Sequence, residues 1–363
     1  MKTVTVTHQN AINYGAVFQA YALQRQLQKL GIEDEILDLK VACKIFNKVA
    51  FNRYLPGNVY NNMLSLLHIL ETKKRIKRFR EFVKNNINTT RHYGTVDEVI
   101  ENPPVADAYI TGSDQTFNTY WGIKPERFLR FGSKETNRIS YASSMGGVAV
   151  QDKYLDEFIS AIKAYNFLSV REESSANYIS KLCSVTCATN IDPALLLNKE
   201  EWSKLTSGSK SRPRMERGKY ILVYQLLENS LLNDTAEKIK EETGFEIVAI
   251  NPYAMCSVKG DRIVRDAGPI EFLELFENAE YILTTAFHGV CFSIIFQKPF
   301  LSFIRGSAET RVNHLLDMLN LSDRIISDVS EIPSNEISYD NVNDLIETER
   351  KKAQEYLTRA LGI

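Results

Sequence analysis

Apolar and polar residues alternate through Thr3–His8, TVTVTH, with the period of a β-strand. The loop QNAINYGA follows. VFQAYALQRQLQKLG then spaces Val17, Tyr21, Leu27 and Leu30 near the helical repeat, with Gly31 placed to end the helix. EDEILDL returns as a strand and completes a strand–helix–strand unit, which predicts a parallel sheet. AYITGS, RISYASS and FLSVRE continue as strands, with one helix from Asp152 to Ala164 and another after Arg171. A second alternation uses YILVYQL, EIVAI, YILTT and PFLSFI as buried strands. Helices near Leu231–Glu242, Ile270–Glu277 and Gly289–Gln297 separate them, and a charged amphipathic helix from about Asn341 to Leu361 follows. The pattern predicts an α/β protein with two doubly wound halves, and ligands of such sheets bind at the carboxyl ends of the strands.

The segment TSGSKSRPRMERGK, 206–219, combines Ser, Gly, Pro and clustered cations and reads as a linker. It divides the chain into an N-terminal half over 1–205, a C-terminal half over 220–340 and a final helix within 341–363. The stretch 42–93 breaks the first half's rhythm. It is helical in character and basic, with KKRIKRFR at Lys73 to Arg80. Such a run is a solvated helix face or, in a functional reading, a surface for anionic headgroups at the inner face of a membrane or for an acceptor's diphosphate.

At 44% hydrophobic and 25% charged residues, the 363-residue chain has the composition of a globular protein. Its 44 Lys plus Arg balance 45 Asp plus Glu, so no global field draws it to nucleic acid. No apolar run is long enough to cross a membrane, and the N-terminus lacks the pattern of a secretion signal. These features predict a cytoplasmic protein. The five cysteines are scattered and read as reduced thiols, and Cys183 and Cys187 have no partners elsewhere that would complete a zinc set.

Candidate chemistry gathers where strands end. In YILTTAFHGVCFSIIFQKPF a short strand stops at Thr284-Thr285 and an apolar helix begins at once. That places the first free N–H groups of the helix, near Gly289, toward the cleft, where an anion would be favoured. Gly289 would permit close backbone approach to a ligand. From spacing alone, His288 fits either a packing histidine or a proton donor beside that anion. Arg265, Arg305 and Arg311 also lie at strand ends or helix starts of this half, and guanidinium groups suit carboxylate and phosphate. In the first half Asn13-Tyr14-Gly15, Gly112-Ser113-Asp114-Gln115, Ser143-Ser144 and Arg171-Glu172 end strands or fill loops. Those residue types serve equally well as turn formers or as a sugar-binding surface.

NYGAVFQAYAL, ITGSDQTFN, YASSMG, SVREESSA, NIDPALLL, GPIEFLELFENAEYILTTAFHGVCFSIIFQKPF and RVNHLLDML together resemble, in order, the blocks of the polysaccharide pyruvyltransferase family. The resemblance runs from Asn13 to Leu319. It implies a GT-B-like arrangement of two Rossmann-type domains and phosphoenolpyruvate as donor, bound by the C-terminal half. His288 then matches the family's catalytic histidine, and Arg265 and Arg311 its anion-binding cations. The family usually has Ser before Phe-His-Gly, where this chain has Ala286, so a hydroxyl contact to the donor is either missing or supplied by Thr285.

On this reading His288 and Asp114 are catalytic, and Arg265, Arg311, Gly289, Thr285 and Arg305 bind the donor. Asn13, Tyr14, Gly15, Ser113 and Ser143 face the acceptor, a sugar that is free or lipid-linked. No cofactor, metal or nucleic acid is expected. The rival on the same architecture is a glycosyltransferase that uses a nucleotide sugar.

Overall fold

The computed structural model describes residues 1–40, 68–120, 122–207, 219–226, 228–251, 259–303 and 309–363. The first sheet begins with β1 (Lys2–Val6), α1 (Tyr14–Lys29) and β2 (Glu33–Ile36). After α2 (Ile69–Asn86) and α3 (Val96–Glu101), it adds β3 (Ala108–Thr111) and β4 (Asn137–Ser140). The chain continues through α4 (Leu155–Ile162), β5 (Ser169–Val170), α5 (Glu173–Cys183), β6 (Ala188–Thr189) and α6 (Lys199–Ser207). All pairings are parallel, in the order β2-β1-β3-β4, and bridges Ile139–Phe167 and Ser143–Val170 attach the β5-β6 pair beyond β4.

The second sheet contains β7 (Tyr220–Tyr224), β8 (Glu246–Ile250), β9 (Arg262–Val264), β10 (Tyr281–Thr284) and β11 (Phe300–Ser302). Its order is β11-β10-β7-β8-β9, again all parallel. Its helices are α7 (Ser230–Thr243), α8 (Pro269–Asn278), α9 (Phe287–Ile295) and α10 (Glu309–Met318). The final helix, α11 (Tyr339–Leu361), returns to the first sheet, where Tyr356 donates to the Ser140 carbonyl and Asn137 to the Ala360 carbonyl.

The alternation in β1 does not mark a solvated face. Val4 and Val6 enter one apolar cluster, while Thr3 and Thr5 on the opposite face are equally buried. Their hydroxyls both donate to the buried Asp34 carboxylate on neighbouring β2, which satisfies the polar side of the strand internally.

Helix α1 joins the two lobes. Asn13 caps it by accepting the Ala16 N–H at 3.1 Å, so the helix begins three residues before Val17. Its inner face carries Tyr14 and Phe18, which stack against Phe272 of α8 at 4.4 Å and pack on Phe292 of α9 at 4.8 Å. Trp202 and Phe82 close the same aromatic seam. The basic run corrects the expectation of a wholly solvated face. Lys74 and Arg78 of α2 bind Asp266, Arg78 also binds Glu271, and Arg75, Phe79 and Phe82 are buried. One side of α2 therefore docks on the second lobe. The proposed linker lies outside the described residues at 208–218, as does 41–67 of the basic insert.

Candidate active site

Each sheet has one place where strand order reverses, between β1 and β3 in the first and between β7 and β10 in the second. Crossovers leave the sheet there in opposite directions and open a crevice at the carboxyl ends. The two crevices face each other.

In the second lobe, Thr284 donates its hydroxyl to the Tyr224 carbonyl at 2.9 Å and accepts the Ala286 N–H at 3.0 Å, which fixes the turn out of β10. The Thr285 hydroxyl accepts the Leu226 N–H at 2.9 Å and keeps its own hydrogen to donate. Ala286 is the N-cap of α9 and supplies no side-chain cap, so the first N–H groups of this helix are left to other acceptors. The glycine after His288 has a different purpose from the one its sequence suggests. A Cβ on Gly289 would lie 2.1 Å from the Thr284 hydroxyl, so glycine here lets the helix pack on its own strand.

His288 projects across the lobes. A Cβ on Gly15 would fall 2.0 Å from its Nδ1, so the imidazole lies directly on the bare backbone at the start of α1. Its Nε2 stands 3.5 Å from Asp192 Oδ2, a charge contact longer than a good hydrogen bond. Asp192 is fully buried before a short 3-10 turn, Pro193–Leu196, and its other oxygen caps Ala194 at 2.9 Å. Arg171 Nη1 binds the same carboxylate at 2.5 Å. Burial alone would raise the Asp192 carboxyl, but His288, Arg171 and the Ala194 N–H outweigh it and hold the group well below the usual range. Asp192 is therefore an ionised carboxylate that is fully buried and held by a guanidinium.

Two guanidinium groups flank Phe287, the residue before the histidine. Arg171 sits 4.5 Å from the ring centroid and Arg311, on α10, 5.9 Å from it. Among the described residues, Arg171 Nη2 and Arg311 Nε are buried donors without a hydrogen-bond partner. Burial lowers the Arg311 pKa, and neighbouring Arg171 lowers it further. Unpaired buried donors are rare and costly, and at a crevice they mark a place for an anion. The amino ends of α1 and α9 converge on the same point, so both helix dipoles add positive potential.

The first lobe contributes Asp114 and a residue that the sequence reading passed over, His8. Asp114 follows β3 in the left-handed backbone region at φ 72° and accepts its neighbour Gln115 N–H at 2.8 Å. Burial opposes its charge, but His8, Arg171 and His288 together keep its pKa low. Burial pushes His8 down to about 4, Asp114 opposing this and Arg127 adding to it, and its Nε2 has no hydrogen-bond partner.

Other expected contacts are structural. Tyr14 is buried and donates to the Ala267 carbonyl at 2.7 Å, pinning α1 to the second lobe. The buried Ser113 hydroxyl donates to the Ala142 carbonyl, and that of Ser143 to the Gly112 carbonyl at 3.1 Å. Tyr14 and Ser143 are thus consumed in holding main chain, while the Ser113 hydroxyl also lies 3.5 Å from Asp192 Oδ2. Asn13 caps α1 and Gly15 lies under His288, so both shape the crevice from below. Arg265 follows edge strand β9 with a buried, unpartnered Nε; no contact among the described residues sets it beside His288. Arg305 lies outside the described residues. Asp192 and Arg171 are the site residues that sequence reasoning undervalued. The signals were an Asp-Pro opening a helical turn in NIDPALLL and an arginine closing a strand in SVRE.

No curated protein matches the chain in sequence. Among solved structures, UGT89C1 of Arabidopsis thaliana complexed with UDP-L-rhamnose superposes with a TM-score of 0.53 at 11% identity, covering 100% of this chain and 99% of that one. The UDP-GlcNAc 2-epimerase of Neisseria meningitidis bound to UDP-GlcNAc gives 0.52 at 12% identity and covers 99% of both chains. At such identities the likeness shows the fold, two facing GT-B-type lobes. The family model described as polysaccharide pyruvyl transferase matches residues 13–307. That span holds β3, α1, the Asp192 turn and the His288 helix, and the chain belongs to the polysaccharide pyruvyl transferase family.

Proposed function

We propose that this protein transfers the pyruvyl unit of phosphoenolpyruvate onto two hydroxyls of a sugar as a cyclic ketal, in the assembly of a capsular or exported polysaccharide. The observation that carries the reading is His288, seated between the buried Asp192 carboxylate and the bare Gly15 backbone, with two unfilled guanidinium donors beside it. Phosphoenolpyruvate brings a phosphate and a carboxylate, and Arg171 joins Arg311 as a partner for them. Arg265 and Arg305 are secondary candidates.

The histidine gives a proton to C3 of the donor, and C2 becomes electrophilic. A sugar hydroxyl oxygen bonds to C2, the bond from C2 to the phosphate oxygen breaks, and phosphate leaves with the electron pair. The second hydroxyl closes the ketal. Of the two hydroxyl protons, one replaces that given to C3 and the other leaves with phosphate. Asp192, ionised and held by Arg171, stabilises the imidazolium that must form before each proton transfer. Asp114, also ionised, is placed to accept a hydroxyl proton from the opposite lobe. Neither a metal nor a cofactor enters this scheme, and EDTA should leave turnover unchanged.

The test is the reaction in D₂O. One solvent deuterium should appear in the ketal methyl, and phosphate should be released in step with product. His288→Gln should fold as wild type and lose roughly a hundredfold or more in kcat. A product methyl free of deuterium would eliminate protonation at C3. Stabilisation by UDP- or GDP-sugars but not by phosphoenolpyruvate in a thermal-shift screen would favour the glycosyltransferase reading instead.

A further inference from the structure

Helix α2 divides its cations between two faces. Lys74 and Arg78 point to the second lobe and are paired with acids there. Lys73, Lys77, Arg80 and Lys84 follow at intervals of four, three and four along the other side, and all four are exposed. Such spacing aligns them in one stripe. Among the described residues only Lys77 of these four makes an ion pair, with Glu81 at 3.8 Å. Arg80 and Lys84 also form the rim of a cavity of about 330 Å³. Its opposite wall is the loop Gln9–Ile12 with Asp38, and Phe79, Val83 and Ile87 form an apolar floor. Ile12 is three residues before Gly15, so at 3.8 Å per residue their Cα atoms are at most about 11 Å apart. The cavity wall at Ile12 thus lies within a short reach of the backbone under His288, and Arg80 and Lys84 add cations to the lining.

We infer that this cavity receives the acceptor, a sugar carried on a pyrophosphate group, with Arg80 and Lys84 binding the pyrophosphate and the loop Gln9–Ile12 guiding the sugar toward His288. The inference rests on the pyruvyl-transfer reading for its direction, and on the cationic rim for its ligand. A volume of this size suits a discrete small ligand. The rim offers charge complementarity to a diphosphate, and Asn10 and Asp38, hydrogen-bonded to each other at 3.1 Å, keep further donor and acceptor capacity for hydroxyls. An anionic membrane surface would use the stripe alone and leave the cavity without a purpose.

The experiment uses the full chain and the double variant Arg80→Gln/Lys84→Gln, with inorganic pyrophosphate as probe. Acetylation of lysines is followed by mass spectrometry with and without pyrophosphate, in the presence of saturating phosphoenolpyruvate to occupy the donor crevice. Pyrophosphate should protect Lys84 in the wild type, and its Kd should weaken about tenfold or more in the double variant with Arg80 and Lys84 neutralised. In turnover assays, that variant should raise KM about tenfold or more for a sugar pyrophosphate and leave KM for the free sugar unchanged. Absent protection of Lys84 overturns the inference. So does binding to phosphatidylglycerol vesicles that the double variant loses while pyrophosphate protects nothing, which would assign the stripe to a membrane. Protection without any phosphate release from phosphoenolpyruvate would leave the anion site standing and remove the pyruvyl-transfer reading.

Discussion

At the ends of β1 and β3, the first lobe sets an ionised carboxylate, Asp114, against a histidine that burial keeps neutral, His8. At the end of β10, the second lobe offers a helix start without a side-chain cap and a histidine whose carboxylate, Asp192, comes from the other lobe. The first cluster is held by turns of its own sheet, with His288 of the other lobe adding to the charge balance at Asp114. The second exists only while the lobes are docked, because both the floor under His288 and its acid belong to the opposite half. Two ends built on one topology thus differ in what they depend on, local turn geometry in one case and interlobe packing in the other.

The sharpest way to break this difference is at Gly15. Gly15→Ala places a methyl where the imidazole lies, so the ring must move or the lobes must part. Turnover should fall by about a hundredfold or more, with the local geometry of Asp114 and His8 retained. A kcat within a few-fold of wild type would show that His288 does not work from this position.

Asp192→Asn comes next. It removes the charge that chiefly offsets Arg171, leaving Glu172 at 3.3 Å as its remaining ion pair among the described residues. Loss of one member of a buried pair costs about 3 kcal/mol or more. Urea unfolding should show that loss, together with reduced kcat. In the wild type the depressed carboxyl contributes stability above its unfolded pKa, near 4, and loses it as pH falls toward the folded value.

His8 tests the first cluster by pH. Its folded pKa is lowered, so between about 4 and 6.5 the unfolded chain holds a proton that the folded chain does not. Stability attributable to His8 is thus present above 6.5 and lost as pH falls toward 4, up to about 3 kcal/mol. Asp34 runs the opposite way. Burial pushes it up to about 7, so its contribution is present below about 4 and lost as pH rises through 7. The comparison must therefore be made against His8→Asn, which should lose less stability than wild type between pH 7 and 4.5. Parallel losses in the two proteins would refute a neutral buried His8.

The smallest effects separate the arginines. Arg311→Gln should weaken phosphoenolpyruvate binding about tenfold by calorimetry, and Arg265→Gln less. The reverse order would move the anion site toward β9.

The central strands of the second sheet were legible because buried parallel strands are nearly continuous apolar runs, as in YILVY and EIVAI. Edge strand β9, RIV, was not, since three residues ending at a charged turn carry no period. His288 was legible because strand, turn and helix are contiguous in sequence around it. Asp192 was not. Its neighbours in sequence describe a capped turn, and only folding brings it to a histidine 96 positions away. Tyr14 and Ser143 misled for the opposite reason. Their residue types suit a sugar, but main-chain carbonyls that needed donors took them first.

The return of α11 to the first sheet has a consequence for how the molecule is made. Asn137 meets Ala360 and Tyr356 meets Ser140 across separations of 223 and 216 residues. Arg350 likewise donates to the Leu195 and Leu197 carbonyls, at 2.7 and 3.0 Å. The second lobe is thus an insertion within the first. At about 5 to 20 residues per second, a ribosome needs roughly 11 to 45 seconds to travel from β4 to the helix that covers it. During that interval the carbonyl of Ser140 lacks the tyrosine that caps it in the finished fold, and the nascent first lobe waits for the second to be synthesised before it can close.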